Sequence, residues 1–377
     1  MDALKIVVIG VGKRAMAQLE TIRKLKDKYR LVAVCDVDEK RAEEVGAIMG
    51  VNSYTDLEIM LDKERIDVAF IAVQAEGHHP IAGFLAERKV SVITETPIAI
   101  TAACARIMIE AAERNGVMLE VSENVYRWPH ERLKRKIVEA GLIGIPKGFY
   151  LSYTSGSYHG MSAIRRILGC EAETAKGIFP DEDGIMERGF LLFQGGICGT
   201  YEFNKERGNY WEIKGELGEI RGNQLILYDG DRRFGIKTKI AESGGTRAIK
   251  EAYVEGMSEV FWENPFGDYP LEDADDLSRA DALLSLYHAV VDGKPLDYGG
   301  ENGKRDVELL MAIRGSAMRG GEPIDLPLTE MTDYERLIHR EFERAYGVDP
   351  LELKVEHLRI KYTLPDTLCG LLYYGRP

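Results

Sequence analysis

The chain predicts an α/β protein, with an N-terminal doubly wound parallel sheet followed by an α+β domain built on a large, mostly antiparallel sheet. Three observations carry this. Short apolar runs alternate with helical periodicity through the first 122 residues, the pattern of a parallel sheet covered on both faces. The first apolar run ends in the glycine turn Gly10-Val11-Gly12-Lys13-Arg14-Ala15. Beyond Pro129 strand patterns follow one another without intervening helices, which requires antiparallel pairing.

In order, residues 5–9 read as a strand, 14–28 as a helix, 31–36 as a second strand and 39–49 as a charged helix. The alternation continues with strand 68–73, helix 78–88, strand 90–93, helix 101–115 and strand 117–121. The second part opens with helix 130–140, then strands at 148–153, 190–203, 209–214, 218–228 and 234–239. Helical patterns return at 275–291, 304–319 and 334–346. The expected division is 1–123, 124–347 and, as a C-terminal extension with no assigned role, 348–377.

Composition bounds the function. With 377 residues, 45% hydrophobic and 29% charged, the chain can bury two sizeable cores. Its 49 basic and 62 acidic residues leave a net charge of −13, which argues against nucleic acid as a partner, because phosphate recognition needs a basic face. No apolar run approaches the roughly eighteen residues a membrane helix needs, and the N-terminal run reads as a strand rather than a signal peptide. Cys35, Cys104, Cys170, Cys198 and Cys369 are scattered without a CxxC pair. Reduced thiols in a cytoplasmic setting, and no metal site, are expected.

The glycine turn fits G-x-G-x-x-[G/A]. Gly10 supplies the tight turn, Gly12 lets the backbone approach a pyrophosphate, and Ala15 lets the helix pack on the strand. The helix that opens at Lys13 and Arg14 offers free N–H groups to the anion. Asp36 closes the next strand 26 positions beyond Gly10, where a carboxylate receives the ribose hydroxyls of a dinucleotide. An acid there disfavours a 2′-phosphate, so NAD is preferred over NADP; Lys40 and Arg41 nearby soften that preference. Val73 and Gln74 close the third major strand, at the edge where ligands of a parallel sheet gather. The adjacent His78 and His79 do not have chelating spacing, and capping or solvent exposure is expected for His79.

From these residues onward the chain resembles the Gfo/Idh/MocA (glucose–fructose oxidoreductase/inositol 2-dehydrogenase) family. The resemblance rests on an ordered series. It begins with the glycine turn and Val34-Cys35-Asp36-Val37-Asp38. It continues with His78 and then Lys89 through Glu95-Thr96-Pro97, then Glu123-Asn124-Val125-Tyr126-Arg127-Trp128-Pro129 and Gly141-Leu142-Ile143-Gly144. Tyr158-His159 with Leu168-Gly169, and Glu301-Asn302-Gly303 through Ala317 to Leu326-Pro327, complete it. The family implies a Rossmann domain, a second domain with an open sheet, and hydride transfer at a secondary alcohol of a sugar, cyclitol or related polyol. It also implies His78, Glu95 and Pro97 near the cofactor, and a homo-oligomer, dimer or tetramer, formed through the open sheet.

The departures from that family are informative. Its proton-side groups are a lysine in an EKP segment, a histidine in the second domain and an aspartate just before that histidine. Here the lysine position is Thr96, and residues 153–162 contain no acid, so only His159 remains. Threonine carries neither a proton near neutral pH nor a positive charge against a developing alkoxide. His159 is therefore the expected acid/base, with Tyr158, Ser162 or Thr96 relaying or orienting. Two alternatives stand beside it: an NAD-dependent glycosidase or lyase using a transient internal redox cycle, and a nucleotide- and sugar-binding regulator without turnover.

For a sugar-like substrate, Arg127, Trp128 and Arg165 are the candidate contacts, an aromatic face suiting a sugar ring and arginine suiting hydroxyls or a carboxylate. The segment Trp262-Glu263-Asn264-Pro265 reads as a loop. The acidic run 272–276 reads as charge complementing a helix N-terminus.

Overall fold

The computed structural model describes residues 3–180, 184–243, 246–267, 269–359 and 364–374; parts of the 348–377 extension lie outside the described residues. The chain divides into two compact units, neither contiguous in sequence. The first comprises residues up to 123 with 279–307 and 339–365, and the second comprises 124–278, 308–338 and the chain from 366 onward.

The first unit carries β1 (Leu4–Ile9), α1 (Lys13–Lys24), β2 (Tyr29–Cys35), α2 (Glu39–Met49), β3 (Asn52–Tyr54) and α3 (Leu57–Lys63). These are followed by β4 (Val68–Ile71), α4 (His78–Glu87), β5 (Ser91–Thr94), α5 (Ala102–Asn115) and β6 (Leu119–Val121). The sheet order is β3-β2-β1-β4-β5-β6 with every pairing parallel. β4, and β1 from Ile6 to Ile9, are apolar and buried because helices cover both faces. The strand order reverses between them, and such a switch point opens a crevice at the strands' carboxyl ends. Asp38, Asp56 and Thr101 cap α2, α3 and α5 through their side chains. No side chain caps α1 at Gly12.

Later segments complete this unit by satisfying polar groups that its own strands bury. Tyr29 donates its hydroxyl to Leu283 O at 2.6 Å. The buried Glu120 carboxylate accepts from Ser285 Oγ at 2.8 Å and from the Tyr298 amide at 3.1 Å. Arg359 pairs with Asp56 and Glu58, each at 3.0 Å. The expectation of an exposed or capping His79 is corrected here. The ring is buried and its Nε2 donates to Pro350 O at 2.7 Å, so the 348–359 stretch roofs α4 at this point. Burial pushes the His79 pKa down to about 4.

The second unit contains α6 (Pro129–Glu139), β7 (Pro146–Ser152), α7 (Ser157–Leu168), β8 (Ala172–Ile178), β9 (Ile185–Phe193) and β10 (Ile197–Asn204). Then come β11 (Tyr210–Gly215), β12 (Gly218–Arg221), β13 (Gln224–Leu227), β14 (Arg232–Ser243), β15 (Thr246–Val254) and β16 (Met257–Glu263). α8 (Ala274–Asp292) and α9 (Gly300–Met318) run across the sequence boundaries of the units; β17 (Ile324–Asp325) and α10 (Asp333–Tyr346) follow. Among the described residues one eleven-stranded sheet forms, ordered β16-β15-β14-β13-β12-β11-β7-β10-β9-β8-β17. Its pairings are antiparallel except β7 with β10. Glycines let α9 approach closely: a Cβ on Gly177 would lie 1.9 Å from Ile313 O. The other side of β8 and β9 leaves Ile178, Phe190 and Leu192 exposed.

Two expected strands are each two. Residues 190–203 are the ends of β9 and β10 around a turn in which Gly195 and Gly196 both take φ 77°. Residues 218–228 are the hairpin β12–β13, turning at Gly222 with φ 51°. Apolar residues continue to both sides of these short glycine turns, so periodicity alone does not register the break. Trp262 and Glu263 are strand residues rather than loop, with Trp262 opposite Ala252 on β15. Asp275 and Asp276 do occupy the first turn of α8.

Candidate functional site

In the first unit the glycine turn joins β1 to α1 beside the end of β4. Gly10 has φ 82°, and a Cβ there would stand 2.8 Å from Ala72 C and from Val73 N; only glycine fits. At Gly12 the reason differs, because a Cβ would meet nothing within 4 Å. That position keeps space open in front of the uncapped α1 N-terminus, whose first turn carries no acid and therefore suits an anion. Ala15 is fully buried against the sheet, and Lys13 and Arg14 are exposed.

Asp36 is buried and oriented by backbone. Its Oδ2 accepts from the Val11 amide at 2.9 Å and its Oδ1 from the Asp38 amide at 2.9 Å. Arg41, from α2, lies against both oxygens at 3.3 and 3.4 Å and also reaches Asp38 Oδ2 at 3.2 Å. The Arg41 contacts are the long ones and its side chain is partly exposed, so a ribose hydroxyl can displace it while the two amides hold the carboxylate. The turn therefore has the open approach, the anion-compatible helix end and the fixed acid that a dinucleotide requires.

Beside it, Glu95 Oε1 accepts from Gln18 Nε2 at 2.8 Å. Thr96 is buried, with its amide 3.4 Å from Glu95 Oε2. Buried His78 sets its Nδ1 3.0 Å from Pro97 O and 3.2 Å from Ile98 O, and its Nε2 3.1 Å from Val73 O. It thus ties the segment after Thr96 to the end of β4. Burial holds the His78 pKa below its ordinary value, opposed by the carbonyls at both ring nitrogens. Gln74 is exposed and Val73 half-buried.

In the second unit α7 presents Tyr158 and His159 in its first turn. Gly156 precedes them with φ 96°, and a Cβ there would lie 2.9 Å from the Tyr158 ring and 3.1 Å from His159 Cδ2. The His159 ring lies 4.5 Å from that of Tyr158 and 6.2 Å from that of Tyr153, centroid to centroid. It is half-buried, as suits a group that exchanges protons with a ligand. Ser162 Oγ donates to His159 O at 2.8 Å, so this hydroxyl braces the backbone of the helix.

The Tyr153 ring stacks on Trp211 at 6.0 Å, and behind it lies a buried ion pair. Glu131 Oε1 receives Lys134 Nζ at 2.6 Å and Glu131 Oε2 receives Trp211 Nε1 at 3.0 Å. Burial lowers the Lys134 pKa, opposed by the Glu131 charge. Trp128 donates its indole N–H to Asp275 Oδ1 at 2.8 Å. Arg165 is buried and forked onto Glu171, at 2.6 and 2.9 Å, a structural commitment for that guanidinium. The guanidinium groups of Arg127, Arg132 and Arg166 all lie about the Tyr126 ring, at 5.0, 4.9 and 5.2 Å. Among the described residues no three histidine, cysteine, aspartate or glutamate side chains gather to hold a metal ion, and no helix is long and apolar enough to cross a membrane.

The Gfo/Idh/MocA family, an oxidoreductase family with an NAD-binding Rossmann fold, matches residues 4–123. Those residues are its NAD-binding Rossmann domain. Similar proteins include the D-apiose dehydrogenase of Paraburkholderia graminis, 35% identical over 153 residues, a match covering 40% of each chain. The inositol 2-dehydrogenase 2 of Saccharopolyspora erythraea is 26% identical over 243 residues, covering 58% of this chain and 71% of that one. A solved NAD binding oxidoreductase from Klebsiella pneumoniae superposes with a TM-score of 0.68 at 18% identity, over 87% of this chain and all of the other. At that identity it shows a shared fold.

In the first unit, Gln18 and the contact of His79 with the Pro350 carbonyl were invisible to sequence reasoning. Arg41 had a weak signal in its closeness to Asp36. Gln18 had none, since its partner Glu95 lies 77 residues away.

Proposed function

We propose that the protein is an NAD-dependent oxidoreductase transferring a hydride at a secondary hydroxyl or ketone of a sugar, cyclitol or related polyol, with His159 as the proton-transfer residue. The observation that carries this is the Gly10–Gly12 turn set beside the backbone-held Asp36, in a Rossmann domain of an oxidoreductase family. The names of the two similar dehydrogenases, acting on apiose and inositol, support a polyhydroxylated substrate. When bound, NAD supplies a two-electron hydride acceptor. Gly12 and the first-turn amides at Lys13 and Arg14 receive its pyrophosphate, on the turn that Gly10 and Ala15 shape, and Asp36 its ribose hydroxyls. Val73, Gln74, His78, Glu95 and Pro97 shape the remainder of that pocket.

His159 takes the hydroxyl proton during oxidation and returns it during reduction, an imidazole nitrogen being able both to accept and to donate a proton. Tyr158 limits the ring's freedom, and the Thr96 hydroxyl orients without carrying charge. Trp128 contacts the substrate in the second unit, where the expected contact Arg127 is fully buried; that unit also forms a homo-oligomer, and exposed Ile178, Phe190 and Leu192 support a sheet face that is covered in the assembly.

The test is NADH formation with D-apiose and inositol as first substrates. His159→Ala should lower turnover by about 10²–10⁴-fold while the NAD dissociation constant stays unchanged. Undiminished turnover would remove His159 from the mechanism. NAD-requiring product release without NADH accumulation would replace net oxidation by an internal redox cycle.

A further inference from the structure

The helix that carries His159 is tied into the second unit by a buried polar chain whose members the sequence gives no reason to connect. Ser157, the first residue of α7, is buried, with its Oγ 3.3 Å from Tyr153 O and hydrogen-bonded to the Tyr201 hydroxyl. Tyr201, on β10, is fully buried, and its hydroxyl also meets Glu187 Oε1 at 2.6 Å. Glu187, fully buried on β9, takes a two-pronged contact from Arg314 of α9, at 2.8 Å from Nε and 3.2 Å from Nη2. The far side of Arg314 faces the carbonyls of Leu371 and Leu372 at 3.4 and 3.5 Å, and Tyr334 donates to the same Leu371 carbonyl at 2.8 Å. One unbroken path therefore runs from the chain's C-terminal segment to the first turn of α7.

Hydrogen counting gives the chain a direction. Ser157 and Tyr201 have two hydroxyl hydrogens for three contacts. Both Glu187 oxygens accept from Arg314, so the Tyr201 hydrogen belongs to Glu187 and the Ser157 hydrogen to Tyr201. The long contact to Tyr153 O is the one left over. Burial and the Glu187 charge raise the Tyr201 phenol well above its ordinary pKa, so this hydrogen stays in place at any working pH.

The α7 N-terminus has need of such a tether. Gly156 is left-handed and provides no side-chain cap, and Gly160 is there because a Cβ would press to 2.9 Å from the Tyr153 ring. In this turn His159 stands between the small residues Ser157 and Gly160, and Ser157 carries a hydroxyl that reaches β10. The turn's backbone bonds, His159 N to Gly156 O at 3.0 Å and Ser162 Oγ to His159 O at 2.8 Å, are local and move with it. Ser157 supplies the tie to the sheet.

We propose that Tyr201 is a positioning residue for His159, holding the first turn of α7 to the Glu187–Arg314 pair through Ser157. This rests on His159 being the proton-transfer residue, and the experiment separates the two. Tyr201→Phe keeps the ring in its buried slot and leaves Glu187–Arg314 intact. In the full chain with NAD and whichever of D-apiose or inositol supports NADH formation, it should lower kcat roughly ten- to a hundredfold, the scale of a small misplacement of a reacting group. KM for the sugar and NAD affinity should be unchanged. Ser157→Ala should do the same, and the double variant no more than either. In a His159→Ala background Tyr201→Phe should have no further effect, whereas a residue important only for stability would cost activity in both backgrounds.

Amide hydrogen exchange over residues 157–162, which needs no substrate, should speed up in Tyr201→Phe. Unchanged exchange there, or an unchanged kcat in Tyr201→Phe when His159→Ala is impaired, overturns the positioning role alone. A fully active His159→Ala overturns the assignment of His159, and the positioning role with it.

Discussion

Gln18 Nε2 donates to Glu95 Oε1 at 2.8 Å, joining the middle of α1 to the turn that follows β5. The same nitrogen lies 3.5 Å from Ser122 Oγ, just past β6. The helix that opens at the glycine turn is thereby locked to the segment that holds Thr96.

Gln18→Ala removes a bond to a carboxylate that water reaches in part, so the expected loss is about 1 kcal/mol of unfolding free energy. Gln18→Glu sets two carboxylates against each other and should lose more at neutral pH, recovering as the pH falls toward the carboxylate range. Urea denaturation of the two variants measures this; equal losses at every pH would show that Gln18 contributes shape and not charge.

The two glycines of the turn should fail in different ways. Gly10→Ala meets backbone at 2.8 Å and an unfavourable φ, and should lose of order 1–3 kcal/mol in stability as well as NAD binding. Gly12→Ala meets nothing in the protein. It should keep the wild-type Tm and still bind NAD at least about tenfold more weakly, since its methyl enters the space a pyrophosphate approaches. Calorimetry with and without NAD distinguishes them, and an undiminished affinity in Gly12→Ala would move the phosphate site elsewhere.

Cofactor choice should turn on Asp36 and Arg41 together. Asp36→Ser removes the acceptor for the ribose hydroxyls and releases Arg41 from its 3.3 Å contact. NAD affinity should fall by roughly tenfold while NADP affinity rises, the freed guanidinium suiting a 2′-phosphate. Adding Arg41→Ala should abolish the gain. Fluorescence titration with both nucleotides gives the ratio, and NADP binding that ignores Arg41 would refute its part.

His79 makes stability depend on pH. Its folded pKa of about 4 lies below the ordinary value of 6.5 because burial disfavours the charged ring. Between those two values the unfolded chain binds a proton that the folded chain does not. The stabilisation is complete above pH 6.5 and is lost as the pH falls toward 4, by about 3 kcal/mol in total. His79→Asn, which can still donate to Pro350 O, should flatten this slope by one proton in chemical denaturation between those limits. An unchanged slope would assign it to the other buried histidines.

The legible parts of this protein were those written within a few tens of residues. The β1–turn–α1 unit and Asp36 could be read because each residue type is fixed by local geometry: a left-handed backbone at Gly10, an open approach at Gly12, a small buried Ala15. His79 was misread because what determines its environment is a carbonyl 271 positions away. Strand boundaries at Gly195 and Gly222 were missed because the breaks, Gln194-Gly195-Gly196 and Arg221-Gly222-Asn223, are only a few residues long between apolar runs. The surroundings of His159 were legible as a residue type only. Tyr201 and Glu187 look like ordinary strand residues until the register of β9 and β10, which pairs Tyr201 with Gly189 and Phe203 with Glu187, makes them diagonal neighbours on one face.

The first unit's discontinuity bears on the order in which a nascent chain can settle. Once residues up to 123 have left the ribosome, Tyr29 and Glu120 are already inside a sheet whose hydrogen-bond partners, Leu283, Ser285 and Tyr298, lie more than a hundred residues downstream. His79 waits longer still, for Pro350. An early Rossmann sheet must therefore hold these groups wet or exposed until nearly the whole chain is made, and only then can water leave them. The nucleotide-binding half begins first and finishes almost last, so synthesis that stops early leaves a sheet with unmet polar groups rather than a finished domain.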